Sequence, residues 1–166
     1  MTAIAYYNSP LGPVILTAKG GALTGLWFLG QKDMPKEYIG AAPTEDEPAV
    51  LTETRLWLDR YFAGEKPSIS TLKLAPEGSA FRRRVWDILC TIPYGETFTY
   101  GQIAKMLEAE SGGKMSAQAV GGAVGHNPIS IIIPCHRVIG SDGSLTGYAG
   151  GLERKTALLH LESRKK

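Results

Sequence analysis

Cysteine is scarce in this 166-residue sequence: Cys90 and Cys135 are the only two, and they form no C-x-x-C pair. The sequence therefore indicates neither a disulfide framework nor a standard zinc motif, and we expect no metal, no cofactor and a reducing, cytoplasmic environment. Long hydrophobic runs are also missing, because the longest, Ile129 to Ile133, is interrupted by Ser130. A membrane-spanning helix needs about 18 apolar residues. The N-terminus shows no secretory signal, so we expect no membrane partner.

The charge is nearly balanced, and a net of +2 is too small to establish a nucleic-acid partner by itself. Its distribution is more informative. Residues 1–75 hold seven basic and eight acidic side chains, a net of −1, whereas residues 76–166 hold eleven and eight, a net of +3. A polyanion would prefer the C-terminal part, although an ordinary solvated surface explains the same difference. We treat 1–75 and 76–166 as two predicted domains.

The first 75 residues predict a small α/β domain that acts as a scaffold. Three runs of strand-forming residues are separated by turn-forming clusters, and the runs cover residues 3–7, 14–18 and 23–29. A helix over residues 50–63 is predicted next, because Leu51, Leu58 and Phe62 recur on one face. This part contains no cluster of histidine, cysteine or paired carboxylates, so we expect the chemistry to lie elsewhere.

The C-terminal part predicts a mainly helical domain with a helix–turn–helix. Ser79 is expected to cap its first helix. Thr99 and Gln102 fit a T-x-x-Q capping box that opens a second helix, which runs to about residue 109. After a Gly-Gly turn, Ser116 is placed to cap a third helix over residues 117–124, which consists almost wholly of small residues.

Two features of these helices have alternative explanations. Gly121 and Gly122 lie inside the third helix, where each glycine costs about 1 kcal/mol relative to alanine. Close approach of the helix to another surface would justify them, and that surface is either a narrow nucleic-acid groove or a neighbouring helix. Three consecutive arginines at positions 82–84 fit either a solvated helix face or contacts to phosphates.

Reactive side chains concentrate in the segment from Asn127 to Arg137, where a buried, extended run over Ile129–Ile133 is expected to present Cys135 beside His136. A free cysteine has a pKa of about 8.5 and is only a few per cent thiolate near neutral pH. Lowering that pKa by two units requires about 2.7 kcal/mol, which a nearby imidazole can supply. Because adjacent side chains rarely face each other, we expect a water to bridge them. The alternative is a buried structural thiol, the role expected for Cys90.

Glu162 is the candidate to orient His136, because it follows Leu158 by four residues and Leu159 by three on the apolar face of a C-terminal helix. A solvent-exposed terminal glutamate fits the same spacing equally well. The three histidines and two cysteines match no standard zinc spacing, so a metal site is not expected.

The segment I-I-P-C-H-R-V at residues 132–138 resembles the active-site signature of the O6-alkylguanine-DNA alkyltransferases, also called methylated-DNA–protein-cysteine methyltransferases. The resemblance extends in order through residues 80–162, and the N-terminal part matches more loosely, chiefly at residues 9–28. The further matching blocks are Phe81–Trp86, Ile92–Glu96, Tyr100–Ala104, Ala119–Ala123, Gly125–Pro128, Gly147–Gly151 and Leu158–Glu162.

The resemblance implies an α/β N-terminal lobe with a small three-stranded antiparallel sheet and a mainly α, winged helix-turn-helix C-terminal domain. It implies DNA repair by direct, single-turnover transfer of an alkyl group to Cys135 from O6-alkylguanine, and the sequence leaves open whether O4-alkylthymine is a second substrate. The implied partner is double-stranded DNA, bound from the minor groove with the damaged base flipped into a pocket. We expect a monomer, and the sequence leaves cooperative binding on DNA open.

The resemblance also implies roles for individual residues. In the chemistry, Cys135 is the alkyl acceptor, His136 the base acting through water, Glu162 the group that orients His136, Asn127 a brace for the turn before the active-site segment, and Tyr100 a proton donor to the base. The residues implied to contact DNA or substrate are Gln118, Ala119, Gly121, Arg137, Val138, Tyr148 and Ala149. Tyr148 is expected to wall the pocket, the Ala149 amide to face the guanine oxygen, and Arg137 to help hold the site together.

Gln118 departs from the family pattern, which has an arginine here to fill the gap left by the flipped base. Glutamine can enter the stack but lacks the charge and the planar guanidinium, so we expect retained activity and a weaker hold on duplex DNA. Three other functions compete: a lesion sensor without repair activity, a Cys–His hydrolase and a winged-helix transcription factor. Cys135 argues against the first, the lack of a specified oxyanion hole against the second, and the lack of an N-terminal metal domain against the third.

Overall fold

The computed structural model describes residues 1–164, and Lys165 and Lys166 lie outside the described residues. The chain divides into two units. The N-terminal unit contains residues 1–77 together with Pro128–Ser130, and the C-terminal unit contains Gly78–Asn127 and the residues from Ile131 onward. Three residues of the active-site segment therefore fold with the N-terminal sheet.

The N-terminal unit is built on an antiparallel sheet in the order β1–β2–β3. The strands cover Ala3–Ser9, Gly12–Lys19 and Ala22–Phe28, which confirms the three predicted strands to within two residues. The turn between β2 and β3 consists of Gly20 and Gly21, with φ of +61° and +80°, as a two-residue hairpin of type I′ requires. The central strand β2 is buried from Val14 to Ala18, so it contributes core side chains on both faces of the sheet.

Helix α1 (Ala49–Phe62) packs against all three strands. Leu51 and Leu58 are buried, as the periodicity predicts, but Phe62 is only half-buried. Tyr61 takes the buried position at this end of the helix instead. Tyr61 lies three residues after Leu58 and four after the buried Trp57, on whose ring it stacks, so it shares their helix face.

The C-terminal unit contains four α-helices and two short parallel strands in its described residues. In chain order they are α2 (Ala80–Leu89), β4 (Phe98–Thr99), α3 (Tyr100–Ser111), α4 (Ala117–Gly125), β5 (Val138–Ile139) and α5 (Leu152–Ser163). Helices α3 and α4 form the predicted helix–turn–helix. The loop from Gly140 to Gly151, called the wing loop below, joins β5 to α5. Within residues 1–164, no helix is both long and apolar enough to cross a membrane.

Local caps fix where these helices begin, and all three predicted caps are confirmed. Ser79 and Ser116 each accept a hydrogen bond from the backbone N–H three residues later, at 3.2 and 3.0 Å. Thr99 and Gln102 form the reciprocal capping box, with bonds of 3.0 and 2.7 Å. Helix α3 ends at Gly112, whose φ of +77° is the left-handed conformation that glycine favours.

Arg83 and Arg84 of α2 are exposed and contact neighbouring protein groups. Arg84 forms an ion pair with Glu110 of α3 and lies 3.7 Å from Asp87. Arg83 donates to the Gly78 carbonyl at 2.9 Å. These contacts favour the solvated-face explanation for both side chains.

The run Ile129–Ile133 is buried as predicted, but the prediction that it is extended is wrong. Ile129 forms a single β-bridge with Leu26 of β3, and the chain then enters a turn. Within that turn Ile131 has a φ of +71°, which is rare for a β-branched residue. Strand-forming residues become extended only where a neighbouring strand supplies a hydrogen-bond ladder, and here the backbone bonds to β3 end at the N–H of Ser130.

Candidate active site

A cavity of about 260 Å³ in the C-terminal unit opens on Cys135, and we call it the Cys135 pocket. Its volume is near the lower end of small-molecule sites, so it suits one small ring system. Two aromatic side chains form part of its walls, and several small residues leave its space open. The lining residues are Tyr100, Gly121, Val124, Gly125, Cys135, Gly147, Tyr148 and Ala149.

Close helix packing does not account for the interior glycines of α4. A Cβ at Gly122 would meet no atom within 4 Å, and one at Gly121 would lie 3.8 Å from the Tyr100 ring, an ordinary contact. Helix α4 is instead anchored on its buried side, where Trp86 Nε1 donates to the Ala123 carbonyl at 2.9 Å. At Gly121 a side chain would reduce the volume of the Cys135 pocket. Approach of this bare face to a groove stays a prediction.

Cys135 is buried, with 4% of its surface exposed, and it lines the Cys135 pocket. It begins a short 3-10 helix, Cys135–Arg137, directly after Pro134. Its backbone N–H donates to the Ile133 carbonyl at 2.8 Å. The residue thus lies in a tight turn whose next two side chains are also buried. A small reactant in the pocket would meet this cysteine among groups that exclude bulk water.

The carboxylate of Glu162 on α5 binds both residues that follow Cys135. His136 Nε2 lies 2.6 Å from Glu162 Oε2, and Arg137 donates to the same carboxylate through Nε at 2.8 Å and Nη2 at 3.0 Å. The backbone N–H of Gly95 adds a further bond at 3.2 Å. His136 and Glu162 are therefore in contact, as the sequence analysis expected. Glu162 is only 1% exposed, which excludes the alternative of a solvent-exposed side chain. We call His136, Arg137 and Glu162 the Glu162 cluster.

The charges of the Glu162 cluster determine the protonation of His136. Burial alone raises the pKa of Glu162, but the hydrogen bond from His136 and the hydrogen bonds and charge of Arg137 outweigh it and hold that pKa well below its usual range. Burial lowers the pKa of His136, and its bond to Glu162 only partly opposes this. Arg137 already balances the carboxylate, so the imidazole is neutral at pH 7. Since a carboxylate only accepts, Nε2 carries the proton and Nδ1 is the basic nitrogen.

Nδ1 of His136 is buried and has no hydrogen-bond partner among residues 1–164. A basic nitrogen in this state is available to accept a proton. The ring of Tyr148 meets His136 edge-on, with centroids 6.5 Å apart. The imidazole is thus held by Glu162 on one nitrogen and flanked by a pocket-lining aromatic ring.

Asn127 joins the end of α4 to the active-site segment, as predicted. It is 1% exposed, and its Nδ2 donates to the Ile133 carbonyl at 2.8 Å. Between these two residues the chain makes the turn that contains Ile131. The side-chain amide therefore bridges the two ends of the turn that precedes Cys135.

Lys155 is a buried group that the sequence analysis did not select. Its ammonium donates to the carbonyls of Val138, Thr146 and Gly147, at 2.6, 2.8 and 3.3 Å. Burial lowers the pKa of Lys155, while negative charge on Cys135 opposes the shift; the same attraction favours the thiolate of Cys135. A signal was present, because Lys155 precedes the buried Leu158 by three residues and so lies on the buried face of α5.

A second, larger cavity of about 530 Å³ adjoins this region, and we call it the outer groove. Tyr100, Gly121 and Gly147 line both cavities. The other residues of the outer groove are Gly101, Ala117, Gln118, Ser141 and Thr146. Gln118 is exposed at this groove, and Ala119 is exposed on α4 but lines neither cavity.

Two residues predicted to contact DNA or substrate lie away from both cavities. Arg137 is 6% exposed, and its guanidinium binds Glu162 and the Ile92 carbonyl. Val138 is completely buried in β5. The family resemblance implied that both residues contact DNA or substrate, but the chain after Cys135 directs their side chains into the protein interior. No group of three or more His, Cys, Asp or Glu side chains in residues 1–164 is arranged to hold a metal ion.

Comparison with known proteins decides the family. The model of the 6-O-methylguanine DNA methyltransferase DNA-binding domain matches residues 80–164. The model of the ribonuclease-like domain of the same methyltransferases matches residues 3–76. The chain belongs to the 6-O-methylguanine DNA methyltransferase family.

Relatives in this family are similar over almost their whole length. The methylated-DNA–protein-cysteine methyltransferase of Haemophilus influenzae is 44% identical, covering 98% of this chain and 88% of its own. That of Methanosarcina barkeri is 47% identical, covering 95% of this chain and 96% of its own. A crystal structure of the Mycobacterium tuberculosis O6-methylguanine methyltransferase in complex with DNA is 43% identical, with a TM-score of 0.81 and coverage of 99% and 93%. These similarities confirm the predicted family and two-part fold.

Proposed function

We propose that this protein repairs DNA by transferring an alkyl group in one step from O6 of a guanine to Sγ of Cys135. The observation that carries the proposal is a buried cysteine at a ring-sized pocket, followed by a neutral imidazole that a carboxylate orients. The family supports the same reaction, because the similar proteins are named for transfer to a protein cysteine and one was solved with DNA.

A buried acceptor requires the damaged base to leave the duplex. Cys135 is reached through a pocket that holds one ring system, so a stacked base cannot meet its sulfur. Extrusion costs a few kcal/mol, and less for a poorly paired, alkylated base. The bare face of α4, with Gln118, Ala119 and Gly121, is proposed to enter the minor groove of double-stranded DNA. The pocket then receives an O6-alkylguanine or, as a second substrate, an O4-alkylthymine.

The proposed chemistry uses the proton positions of the site. His136 Nδ1 accepts the proton of the Cys135 thiol through a water, while Glu162 holds the imidazole by Nε2. The thiolate attacks the alkyl carbon, so the S–C bond forms as the C–O bond breaks and the electron pair leaves with guanine. Tyr100 donates a proton to the base and neutralises that charge. Lys155 favours the thiolate before attack.

The product explains why the protein acts once. A thioether has no carbonyl for water to attack, unlike the thioester of a cysteine hydrolase. The alkyl group therefore stays on Cys135, and the protein is consumed stoichiometrically without a cofactor. A lesion sensor is disfavoured by the presence of Cys135 at the pocket.

Other residues have supporting roles in this proposal. Asn127 braces the turn before Cys135, and Tyr148 walls the pocket. The Ala149 amide is proposed to face the guanine oxygen. Arg137 acts as a positioning residue through Glu162, since it contacts neither cavity.

The functional division, localisation and assembly are also proposals. Residues 1–75 would act as the scaffold, and residues 76–166 as the DNA-binding and alkyl-acceptor domain. We propose a cytoplasmic monomer. Gln118 would fill the gap left by the flipped base, with a weaker hold on duplex DNA than an arginine provides.

Intact-mass spectrometry after incubation with duplex DNA containing O6-methylguanine tests the proposal. The expected result is a single gain of about 14 Da, one methylene unit, located at Cys135 and independent of further incubation. Cys90 is the internal control, because burial and then Asp87 raise its pKa to about 11. No adduct, an adduct on Cys90, or repeated turnover would contradict the proposal.

A further inference from the structure

Thr146 connects the wing loop to Tyr100 through its side chain. Its Oγ1 donates a hydrogen bond to the Tyr100 hydroxyl at 3.2 Å. Thr146 lines the outer groove, and Tyr100 lines both that groove and the Cys135 pocket. The bond therefore lies beside the space that the reacting base would occupy, although Thr146 does not itself line the pocket.

The direction of this bond matters for the chemistry of Tyr100. A phenol has one proton to donate and lone pairs that accept. Because Thr146 is the donor, the Tyr100 oxygen acts as the acceptor and its own proton is not used in this bond. A donor on one side of the phenol oxygen also favours orientation of the phenol proton toward the other side. Accepting a hydrogen bond further polarises the O–H group and makes it a better donor.

The backbone at Thr146 is held by hydrogen bonds from a buried lysine. The buried ammonium of Lys155 donates to the Thr146 carbonyl at 2.8 Å and to the Gly147 carbonyl at 3.3 Å. Lys155 also binds the Val138 carbonyl, which precedes the wing loop. The ammonium of Lys155 thus links the wing loop to β5, the strand that precedes it. The exposed Thr146 side chain thus projects from a backbone that Lys155 binds at this residue and at the next.

We propose that Thr146 is a positioning residue for alkyl transfer, which holds the Tyr100 hydroxyl as an acceptor so that its proton is directed to the base in the Cys135 pocket. This inference rests on the proposed function, and it adds a residue outside the pocket to the reaction. In free solution a water can replace the threonine donor. Once DNA covers the outer groove and excludes water, the protein must supply that donor itself.

The test compares Thr146→Val, which keeps the shape and removes the hydroxyl, with Thr146→Ser, which keeps the hydroxyl. Single-turnover methyl transfer is measured with a duplex that contains one O6-methylguanine, over a range of protein concentrations. Thr146→Val is expected to lower the saturating rate about 3- to 10-fold, the effect of one neutral hydrogen bond. The concentration for half-saturation should stay unchanged, and Thr146→Ser should restore most of the rate.

A double-mutant cycle with Tyr100→Phe separates positioning from a general effect on the loop. In the Phe background the threonine hydroxyl has no acceptor, so Thr146→Val should change the rate by less than about twofold. Ser144→Ala, which removes another wing-loop hydroxyl, is the matched control and should leave the wild-type rate unchanged. Thermal unfolding of each variant verifies that it is folded.

The outcomes distinguish this inference from the proposed function. If the wild-type protein gains no methyl group at Cys135, both are overturned. If the wild-type protein is methylated and Thr146→Val reacts at the same saturating rate, only the role of Thr146 is overturned. An equal loss of rate in the Tyr and Phe backgrounds would likewise overturn it, because Thr146 would then act without Tyr100.

Discussion

The two units of the chain bury different kinds of polar side chain. Within residues 1–77 the buried polar side chains are neutral, namely Thr17, Gln31 and Thr54. Besides the neutral Asn127, the C-terminal unit buries side chains that carry or can take up charge, namely His136, Arg137, Lys155 and Glu162. A buried charge is far more costly than a buried hydroxyl unless it is paired and hydrogen-bonded. The C-terminal unit therefore keeps buried charged groups that folding alone does not require, which indicates that the chemistry takes place in this unit.

Of the changes that test this difference between the units, removal of the Glu162 carboxylate should have the largest effect on stability. Glu162→Gln leaves the guanidinium of Arg137 buried without its counter-charge, and we expect a loss of about 3–5 kcal/mol in the free energy of unfolding. Urea unfolding followed by circular dichroism measures it. Thr54→Val is the matched change in the N-terminal unit, where a buried hydroxyl donates to the Val50 carbonyl at 2.7 Å. Its expected cost is about 1 kcal/mol, and equal losses for the two variants would remove the contrast between the units.

Replacing Lys155 should have the next largest effect. Lys155→Met keeps the length of the side chain but leaves the carbonyls of Val138, Thr146 and Gly147 without their donor. We expect a loss of about 1–3 kcal/mol in stability, together with slower methyl transfer because the thiolate loses a nearby cation. Urea unfolding and the single-turnover rate measure the two effects. Lys105→Met, on the exposed face of α3, is the control; a full rate in Lys155→Met would show that the cation is dispensable.

Lowering the pH should destabilise the protein through the Glu162 cluster. The pKa of His136 is lowered by burial, so the folded state binds fewer protons than the unfolded state. Its contribution to stability is complete above the unfolded pKa of about 6.5 and is lost as the pH falls, by at most about 1.4 kcal/mol per pH unit. The lowered pKa of Glu162 has the same sign but acts only below about 4.5.

Urea midpoints at pH 8, 6.5 and 5.5 check this prediction. The range avoids titration of Glu47 in the N-terminal unit, whose pKa is lowered by hydrogen bonds from Thr52 and Arg55. Stability should decline from pH 6.5 to 5.5 in the wild type and should decline less in His136→Gln. A rise in stability over this range would mean that the imidazole is protonated in the folded state.

The smallest effect is expected at Gln118, on the exposed face of α4. Gln118→Arg adds a cation and a stacking plane, so binding to an undamaged duplex should become about 3- to 10-fold tighter at low salt. Gln118→Lys adds the charge without the plane and should give only part of the gain. Fluorescence anisotropy at two salt concentrations separates the two terms. Unchanged affinity in both variants would show that residue 118 does not meet the DNA.

The sequence predicted well those features of the fold that depend on residues close together in the chain. The caps at Ser79, Thr99 and Ser116 depend on a side chain and a backbone N–H within three residues. The turn at Gly20 and Gly21, one of the turn-forming clusters between the predicted strands, depends only on φ. Helical spacing left open whether Glu162 is buried or exposed, and its burial and contact with His136 agree with the role that the family resemblance implied.

Features that failed or were missed depend on partners far away in the sequence. The turn at Ile131 replaces an expected strand because the hydrogen bonds to Leu26 end at Ser130. Arg137 faces inward because Glu162 and the Ile92 carbonyl, 25 and 45 residues away, bind it. No local pattern contains this information.

By itself, the sequence determined the helix caps, the N-terminal strands to within two residues, the family and the cysteine next to a histidine, because each of these signals lies in residues close together in the chain. Only the tertiary structure decided that Glu162 neutralises Arg137 and leaves His136 neutral. It also decided that Lys155 supports the wing loop and that Thr146 donates to Tyr100. The physical reason is that burial and pairing of charge depend on which distant groups meet, and hydrogen bonds act only at contact distance.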